Sequence, residues 1–172
     1  MTTCPFCSFT NIEGVDTCEM CGQALTGLHM NASPSRLEVQ LLSDKISSLN
    51  PKSPHVVAPK ASIREVIDIM VEHSIGCVLV VEDDQIQGVF TERDAVLKLN
   101  ADYQSMLGQP VDEFMTPNPQ TLAPDAKIAF AIQRMDQGGY RHLPIVDAQG
   151  TPIGVISVRD ILAYLTGTMT GS

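Results

Sequence analysis

The sequence has few positive charges and no long apolar run. Its 172 residues include 11 Lys and Arg against 20 Asp and Glu, which gives a formal net charge of −9. So acidic a chain is not expected to bind nucleic acid or anionic lipid by broad electrostatic attraction. Its apolar runs are much shorter than a membrane-crossing helix requires. The start, Met1-Thr2-Thr3-Cys4, also lacks the basic and apolar regions of a signal peptide. We therefore predict a cytoplasmic protein.

A catalytic constellation is also missing from the sequence. The 4 histidines are scattered, and no hydroxyl or thiol has a base at a defined spacing. The sequence therefore predicts a protein that is not an enzyme. An apolar fraction of 44% is nevertheless enough to build a core, and the length suits one ordinary domain or two small modules.

The cysteines are concentrated at the start of the chain. Two C-x-x-C pairs occur there, Cys4-Pro5-Phe6-Cys7 and Cys18-Glu19-Met20-Cys21. This spacing predicts a tetrahedral zinc site. Disulfides would need an oxidising compartment, and a redox dithiol would normally occur in a βαβ context. Because four thiolates leave no coordination position open, the predicted zinc is structural rather than catalytic.

This stretch resembles the zinc finger family of the Ran-binding nucleoporin. Asn11 matches that family's pattern, whereas Thr2 stands where a Trp is usual. Some members bind ubiquitin through positions similar to Ser8, Phe9 and Met20. The simpler interpretation is that Phe9 and Met20 form the small core that such a module needs. A generic two-knuckle zinc ribbon that docks a protein partner fits as well.

A hinge and a helix are predicted to follow the cysteines. Residues 26–35 are rich in turn-forming residues, and Ser33-Pro34 is typical of a helix start. An amphipathic helix is expected from there to Asn50-Pro51 and should pack on the following domain. Its apolar residues are Leu37, Leu41, Leu42, Ile46 and Leu49. The predicted divisions are a zinc ribbon at 1–28, this linker at 29–50, and repeated units at 51–111 and 112–172.

The rest of the chain is written twice. The stretch from Gly88 to Asp94, GVFTERD, returns from Gly154 to Asp160 as GVISVRD. Such repetition indicates two copies of one supersecondary unit that pack together. The apolar patterns predict β-α-β-β-α in each copy. The first copy has strands at 56–59, 77–81 and 87–90, and the second has strands at 121–124, 143–146 and 154–156.

The repeated motif supports two interpretations. Thr91 with Asp94, and Ser157 with Asp160, fit helix N-caps. The same groups also suit a nucleotide, because free N–H groups, a hydroxyl and an Arg attract phosphate. An Asp would repel phosphate but suits a ribose diol. The local chemistry permits a nucleotide without requiring one.

Residues 50–165 resemble a tandem pair of cystathionine β-synthase (CBS) domains, a Bateman module. The doubled motif, the run from Gly139 to Asp147, and Met115-Thr116-Pro117 carry the resemblance. It implies an α+β fold in which two βαββα units pair by their sheets around a pseudo-two-fold axis. Two clefts would remain, where an adenosyl ligand such as AMP, ADP, ATP or S-adenosylmethionine binds.

The resemblance also assigns roles to residues. Asp94 and Asp160 would hold ribose hydroxyls, and Thr91 and Ser157 would bond the α-phosphate. The remaining assignments are Val57, Leu122 and Leu143 beside the base, and Arg141, His142, Arg93 and Arg159 toward the phosphates. Because Gly76-Cys77 stands where the second unit has Arg141-His142, the clefts should differ, and the Asp160 cleft should bind more strongly.

The resulting prediction is a regulatory protein that senses an adenine nucleotide and engages a protein partner through its zinc ribbon. A homodimer shaped as a flat disc rests on the resemblance alone. Two alternatives stay open. The CBS pair is a dimerisation scaffold for a zinc-ribbon adaptor, or the ribbon contacts nucleic acid, which the lack of Lys and Arg in residues 1–30 disfavours.

Overall fold

The structure, a computed structural model, describes residues 2–4, 7–12, 15–25, 36–99 and 103–170. The predicted hinge at 26–35 and its Ser33-Pro34 helix start lie outside the described residues. The amino-terminal segment contains two short antiparallel strands, β1 (Thr2–Thr3) and β2 (Thr10–Asn11). Helix α1 (Arg36–Ser43) and a 3-10 helix (Ile46–Leu49) precede the repeated units.

The first unit follows the predicted order. Its elements are β3 (Val56–Val57), α2 (Ile63–Glu72), β4 (Cys77–Glu82), β5 (Gln85–Thr91) and α3 (Glu92–Asp94), which continues as a π-helix (Ala95–Leu99). Strand β4 pairs parallel with β3 and antiparallel with β5. Val66 and Met70 of α2 and Val78 and Val80 of β4 are buried in one hydrophobic core.

The second unit repeats this plan. Its elements are α5 (Ile128–Gly138), β7 (His142–Val146), β8 (Pro152–Ser157) and α6 (Val158–Thr170). Strands β7 and β8 are antiparallel. The strand predicted at 121–124 is reduced to one parallel bridge, Leu122 to Ile145. The α+β class and the paired βαββα arrangement are confirmed.

Each unit pairs with a segment, here called its borrowed segment, that precedes the other unit in the chain. The connection contains α4 (Tyr103–Met106), a 3-10 helix (Val111–Glu113) and β6 (Thr116–Pro117). Although β6 leads into the second unit, it pairs with β5 of the first, where Pro117 lies opposite Gly88. In the same way Lys52, which leads into the first unit, bridges Val155 of the second.

This exchange explains the glycine that begins each copy of the motif. A Cβ placed on Gly88 would overlap the side chain of Met115, and one on Gly154 would lie 2.8 Å from Pro51 Cβ. Both glycines therefore allow the borrowed segment to approach the strand closely.

The linker packs on the second unit. Ile46 and Leu49 are buried in that unit's core, and α1 contacts α5. The prediction of one helix reaching Leu49 is wrong, because α1 ends at Ser43. Beyond it, Ile46 N donates to Ala126 O at 2.8 Å, and Ile128 N donates to Asp44 O at 3.0 Å. These tertiary hydrogen bonds replace the helical ones.

The amino-terminal segment has a small core of its own. Cys4, Cys18 and Leu25 are buried, and Phe9 packs against them. The expectation that Met20 also belongs to this core is wrong, because Met20 is 66% exposed. Leu25 fills that space instead. In the described part of the chain, no helix is both long and apolar enough to cross a membrane.

Candidate functional site

The four amino-terminal cysteines form one cluster. Their sulfur atoms all lie within 4.8 Å of one another, with Cys4 to Cys21 at 3.7 Å and Cys7 to Cys18 at 3.6 Å. A tetrahedral Zn²⁺ site with Zn–S bonds of about 2.3 Å places its sulfurs about 3.8 Å apart. The four thiols therefore fit a zinc ion.

Matching backbone turns position these cysteines. Ser8 N donates to Cys4 O at 2.9 Å, and Gly22 N donates to Cys18 O at 2.8 Å. Both turns use positive φ, 61° at Ser8 and 68° at Gly22. Glycine adopts this conformation without strain, which suits Gly22 to the tight turn after Cys21.

Asn11 connects the two turns. Its side chain is buried and donates to Cys18 Sγ at 3.5 Å and to Phe9 O at 3.1 Å. Its carbonyl accepts from Glu19 N at 3.0 Å. Such contacts orient a metal-binding thiolate. Sequence reasoning reached Asn11 only through the family resemblance.

The two copies of the motif form equivalent helix caps. Thr91 Oγ1 accepts from Asp94 N at 3.2 Å and donates to Asp94 Oδ2 at 2.6 Å. Ser157 Oγ accepts from Asp160 N at 3.4 Å and donates to Asp160 Oδ2 at 2.7 Å. The N-cap prediction is confirmed in both copies. Each hydroxyl proton is directed at a carboxylate, so bonding a phosphate would require the hydroxyl to rotate.

A cleft of about 600 Å³ lies beside Asp94; we call it the Asp94 cleft. The Asp94 carboxylate is 9% exposed and pairs with Lys98 Nζ at 2.7 Å. Its Oδ1 also accepts from Thr116 Oγ1 at 3.1 Å. Burial raises the pKa of Asp94, but hydrogen bonds from Lys98 and Thr91 outweigh it and hold the pKa below its usual value. Arg93 in this cleft donates to Gly139 O at 3.1 Å.

A second cleft, of about 210 Å³, lies beside Asp160; we call it the Asp160 cleft. The Asp160 side chain is 16% exposed, and its Oδ1 lies 3.7 Å from Lys52 Nζ. That separation is an ion pair but too long for a hydrogen bond. Lys52, Arg141 and Arg159 line the cleft together with the acids Glu92 and Asp160. The start of α6 faces the same space.

The clefts share one wall. Gly76, Glu92, Arg141 and His142 line both of them. The prediction that Arg141 and His142 distinguish one cleft from the other is therefore wrong. A Cβ on Gly76 would lie 2.8 Å from the His142 ring, so the absence of a side chain at Gly76 makes room for this histidine. Burial lowers the pKa of His142, although the charge of Glu92 opposes the shift.

Three residues predicted beside the base lie elsewhere. Val57 is buried in the first unit's core, and Leu122 and Leu143 in the second's. They are absent from the described residues that line these two clefts. The structure does bring Thr91, Arg93, Asp94, Arg141 and His142 together in one cleft, and Arg141, His142, Ser157, Arg159 and Asp160 in the other.

Sequence reasoning missed the partners of the two acids. Lys98 follows Asp94 by one helical turn, so the i,i+4 rule could have identified it. Lys52 and Thr116 approach from the borrowed segments, and no local pattern reveals them. Glu92 occupies the variable position of the motif, where the second copy has Val158, so the repeat gave no reason to expect a functional residue there.

Comparison with known proteins identifies the repeated units. The CBS domain family matches residues 46–101 and 111–167, more than half of the chain. This chain belongs to the CBS domain family. Among curated relatives, an uncharacterised 17.7 kDa protein of Acidianus ambivalens is 31% identical over 131 residues, covering 75% of this chain and 77% of its own. The family match begins after the four-cysteine segment.

Solved CBS structures share the fold. A CBS-domain protein from Agrobacterium tumefaciens is 28% identical, with a TM-score of 0.65, and covers 71% of this chain and 99% of its own. A CBS domain protein from Pyrobaculum aerophilum, solved in complex with AMP, is 25% identical with a TM-score of 0.63. That alignment covers 74% of this chain and all of the other.

Proposed function

We propose that this chain is a non-catalytic regulatory protein that binds an adenine nucleotide in the Asp160 cleft. The observation that carries the proposal is that Asp160 lines this cleft together with Arg141, which precedes β7, and Arg159, at the start of α6. Among the described residues, Asp160 Oδ1 makes only a long contact, with Lys52. A carboxylate accepts from a ribose diol, and cations beside a helix amino terminus attract phosphate.

The charge of the cleft favours a ligand that carries phosphate. Three cations and two carboxylates line it, and the carboxylate of Asp160 would be engaged by the ribose. AMP, ADP and ATP place their negative charge where the cations remain. S-adenosylmethionine carries a positive sulfonium there and should bind more weakly. The AMP complex of the Pyrobaculum protein supports an adenosyl ligand in this family.

Space and chemistry point to different clefts. The Asp94 cleft is larger, about 600 Å³ against about 210 Å³. However, the Asp94 carboxylate already takes hydrogen bonds from Thr91, Thr116 and Lys98, so it offers a ribose little. The Lys52 side chain is 78% exposed and can move aside to enlarge the smaller cleft. The less committed carboxylate of Asp160 therefore favours the Asp160 cleft as the binding site, although its volume is smaller.

The linker connects the Asp160 cleft to the amino-terminal segment. Tyr164 on α6 donates to Asp44 Oδ2 at 2.5 Å, and Lys127 Nζ donates to Ser43 O at 2.7 Å. Helix α6 begins with the cleft residues Ser157 to Asp160. A ligand that binds one position of α6 better than another would therefore shift Asp44 and the end of α1.

The ribbon is proposed to bind a structural Zn²⁺ through Cys4, Cys7, Cys18 and Cys21 and to engage a protein partner. Because the segment is too small to fold on apolar contacts alone, the metal would stabilise its fold. Ile12 and Met20 are 67% and 66% exposed. They give the ribbon an apolar surface for a partner.

A homodimer is also proposed. Val96, Leu97 and Leu162 are strongly exposed on the two closing helices, and Val96 and Leu162 occupy equivalent positions after the repeated motif. Exposed apolar side chains at matching places suit an interface between two copies.

Calorimetric titration tests the nucleotide proposal. Folded, ligand-free protein should bind at least one of AMP, ADP and ATP, and S-adenosylmethionine should bind more weakly. If none of the four ligands produces a heat of binding, nucleotide sensing is refuted and the dimerisation scaffold is favoured.

Native mass spectrometry tests the metal and the assembly together. Two chains and one zinc per chain are expected. Cys18→Ser should lose the zinc while the CBS pair stays folded, and Leu162→Glu should shift the protein toward monomer. A zinc-free wild-type chain purified without chelator would contradict the zinc ribbon.

A further inference from the structure

Lys52 is fixed at the mouth of the Asp160 cleft by its backbone. Its N–H donates to Val155 O at 3.0 Å, and its carbonyl accepts from Val155 N at 2.9 Å. The side chain lines the cleft and is 78% exposed. The position of the residue is therefore set by the sheet, whereas its ammonium group remains free to move.

The contact between Lys52 and Asp160 can be exchanged. At 3.7 Å the ammonium balances the carboxylate charge without a hydrogen bond. The first unit treats its acid differently, because Lys98 holds Asp94 at 2.7 Å and also donates to Phe114 O at 2.7 Å. Lys98 is thus held by hydrogen bonds within the fold, whereas the Lys52 ammonium can move from Asp160 to a more negatively charged partner.

A bound nucleotide would supply that partner. Once ribose hydroxyls donate to Asp160, the carboxylate no longer needs an adjacent ammonium. A phosphate next to Arg141 and Arg159 would carry more negative charge than one carboxylate and would attract Lys52. An adenosine without phosphate offers no such replacement, so its ribose would compete with Lys52 for Asp160.

We propose that Lys52 is a specificity-determining residue, which makes the Asp160 cleft prefer phosphorylated adenosine ligands over adenosine itself. The inference rests on the proposed nucleotide function. It adds that one lysine from the borrowed segment, rather than the arginines of the second unit alone, sets the preference for phosphate.

Titration of AMP and of adenosine into wild type and Lys52→Gln tests this role. AMP affinity should fall about tenfold in Lys52→Gln, as expected for one charged contact to phosphate. Adenosine affinity should stay the same or rise, because Asp160 is relieved of its competitor. Lys52→Arg should keep most of the preference for AMP, and added salt should reduce that preference more in wild type than in Lys52→Gln.

Lys60→Gln is the matched control. Lys60 is also 78% exposed and paired with an acid, Asp112 at 2.6 Å, but it lines neither of the two clefts. It should leave both affinities unchanged.

Two results would overturn the inference. An unchanged ratio of AMP to adenosine affinity in Lys52→Gln, with unaltered melting temperature, removes the proposed role while leaving nucleotide binding intact. Failure of wild type to bind AMP or adenosine also overturns the inference, and failure to bind ADP and ATP as well refutes the proposed function itself.

Discussion

The two clefts begin from the same motif and end with different chemistry. Four residues after the motif's aspartate the first unit has Lys98 and the second has Tyr164. Lys98 turns back to Asp94, whereas Tyr164 reaches Asp44 in the linker. Asp94 is therefore held by an ion pair within its own unit, whereas Asp160 faces its cleft.

The difference shows that a repeated motif does not guarantee a repeated site. Both acids cap a helix through the same hydrogen bonds. The two acids differ in the partners of the second carboxylate oxygen, Oδ1. In Asp94 it contacts Lys98 of the following turn and Thr116 of a borrowed segment. In Asp160 it makes only the longer contact with Lys52, among the described residues. The first unit thus gains stability at its acid, whereas the proposed binding capacity lies with the second.

The largest effect is expected from Asp94→Asn, measured as stability. Lys98 would lose the charged partner that the nearly buried Asp94 side chain provides. The free energy of unfolding should fall by about 2–3 kcal/mol. Thermal and denaturant unfolding would measure this loss. Asp160→Asn, whose ion pair is longer and more exposed, is the matched control and should destabilise less. Equal losses would remove the distinction between the two acids.

The same variant has a pH signature. Because the pKa of Asp94 is lowered in the folded protein, the carboxylate stabilises the fold above its unfolded pKa of about 3.9. That contribution is lost as the pH falls through the lowered folded value. The stability difference between wild type and Asp94→Asn should therefore shrink below about pH 4.

The next largest effect is expected on ligand affinity. Asp160→Ala should weaken AMP binding about tenfold or more, because the ribose loses its charged acceptor. Asp94→Ala, compared by the same titration at a temperature where it remains folded, should change the affinity less. The reverse order would move the nucleotide to the Asp94 cleft.

Exchange of the residues that follow the acids gives a smaller effect. Tyr164→Lys should place an ammonium within reach of Asp160, as Lys98 is for Asp94, and lower AMP affinity by about threefold to tenfold. Tyr164→Phe is the control, because it removes the hydrogen bond to Asp44 without adding a charge. Equal affinities in the two variants would show that the lost contact with Asp44, and not the new cation, decides the outcome.

The smallest effect concerns His142 in the shared wall. Since burial holds its pKa below 6.5, His142 should be neutral at pH 7 and stabilise the fold less as the pH falls through its folded pKa. A neighbouring phosphate would raise that pKa, so AMP should bind about twofold to threefold more tightly near pH 6 than near pH 7.5. Because the AMP phosphate itself titrates near pH 6, only a steeper pH dependence in wild type than in His142→Gln supports this assignment.

Local patterns predicted much of the fold. The strands and helices of both units, the two caps and the grouping of cysteines follow from periodicity and spacing, which are properties of adjacent residues. The break after Ser43 could not be predicted, because Ile46 N leaves the helix for Ala126 O in the second unit. Met20 was misplaced for a similar reason, since Leu25 lies outside the two knuckles and yet fills their core.

The candidate site was predicted in composition but not in arrangement. The acids, hydroxyls and cations of the repeat do line the two clefts. Lys52 and Thr116 could not be assigned to these acids, because each lies on a borrowed segment that pairs with the unit it does not precede. Arg141, which lies between α5 and β7, lines both clefts, so comparing the sequences of the two units could not assign it to one cleft.

The borrowed segments also determine whether the protein can be divided into two fragments that fold separately. A fragment cut after Val111 would keep the first motif but lose β6, and the remaining piece would lack the linker and Lys52, which complete its own sheet. Neither half should be an autonomous folding unit, although the two expressed together could complement each other. The gene duplication implied by the repeat would then have produced a single folding unit, in which each half supplies a segment that pairs with the sheet of the other.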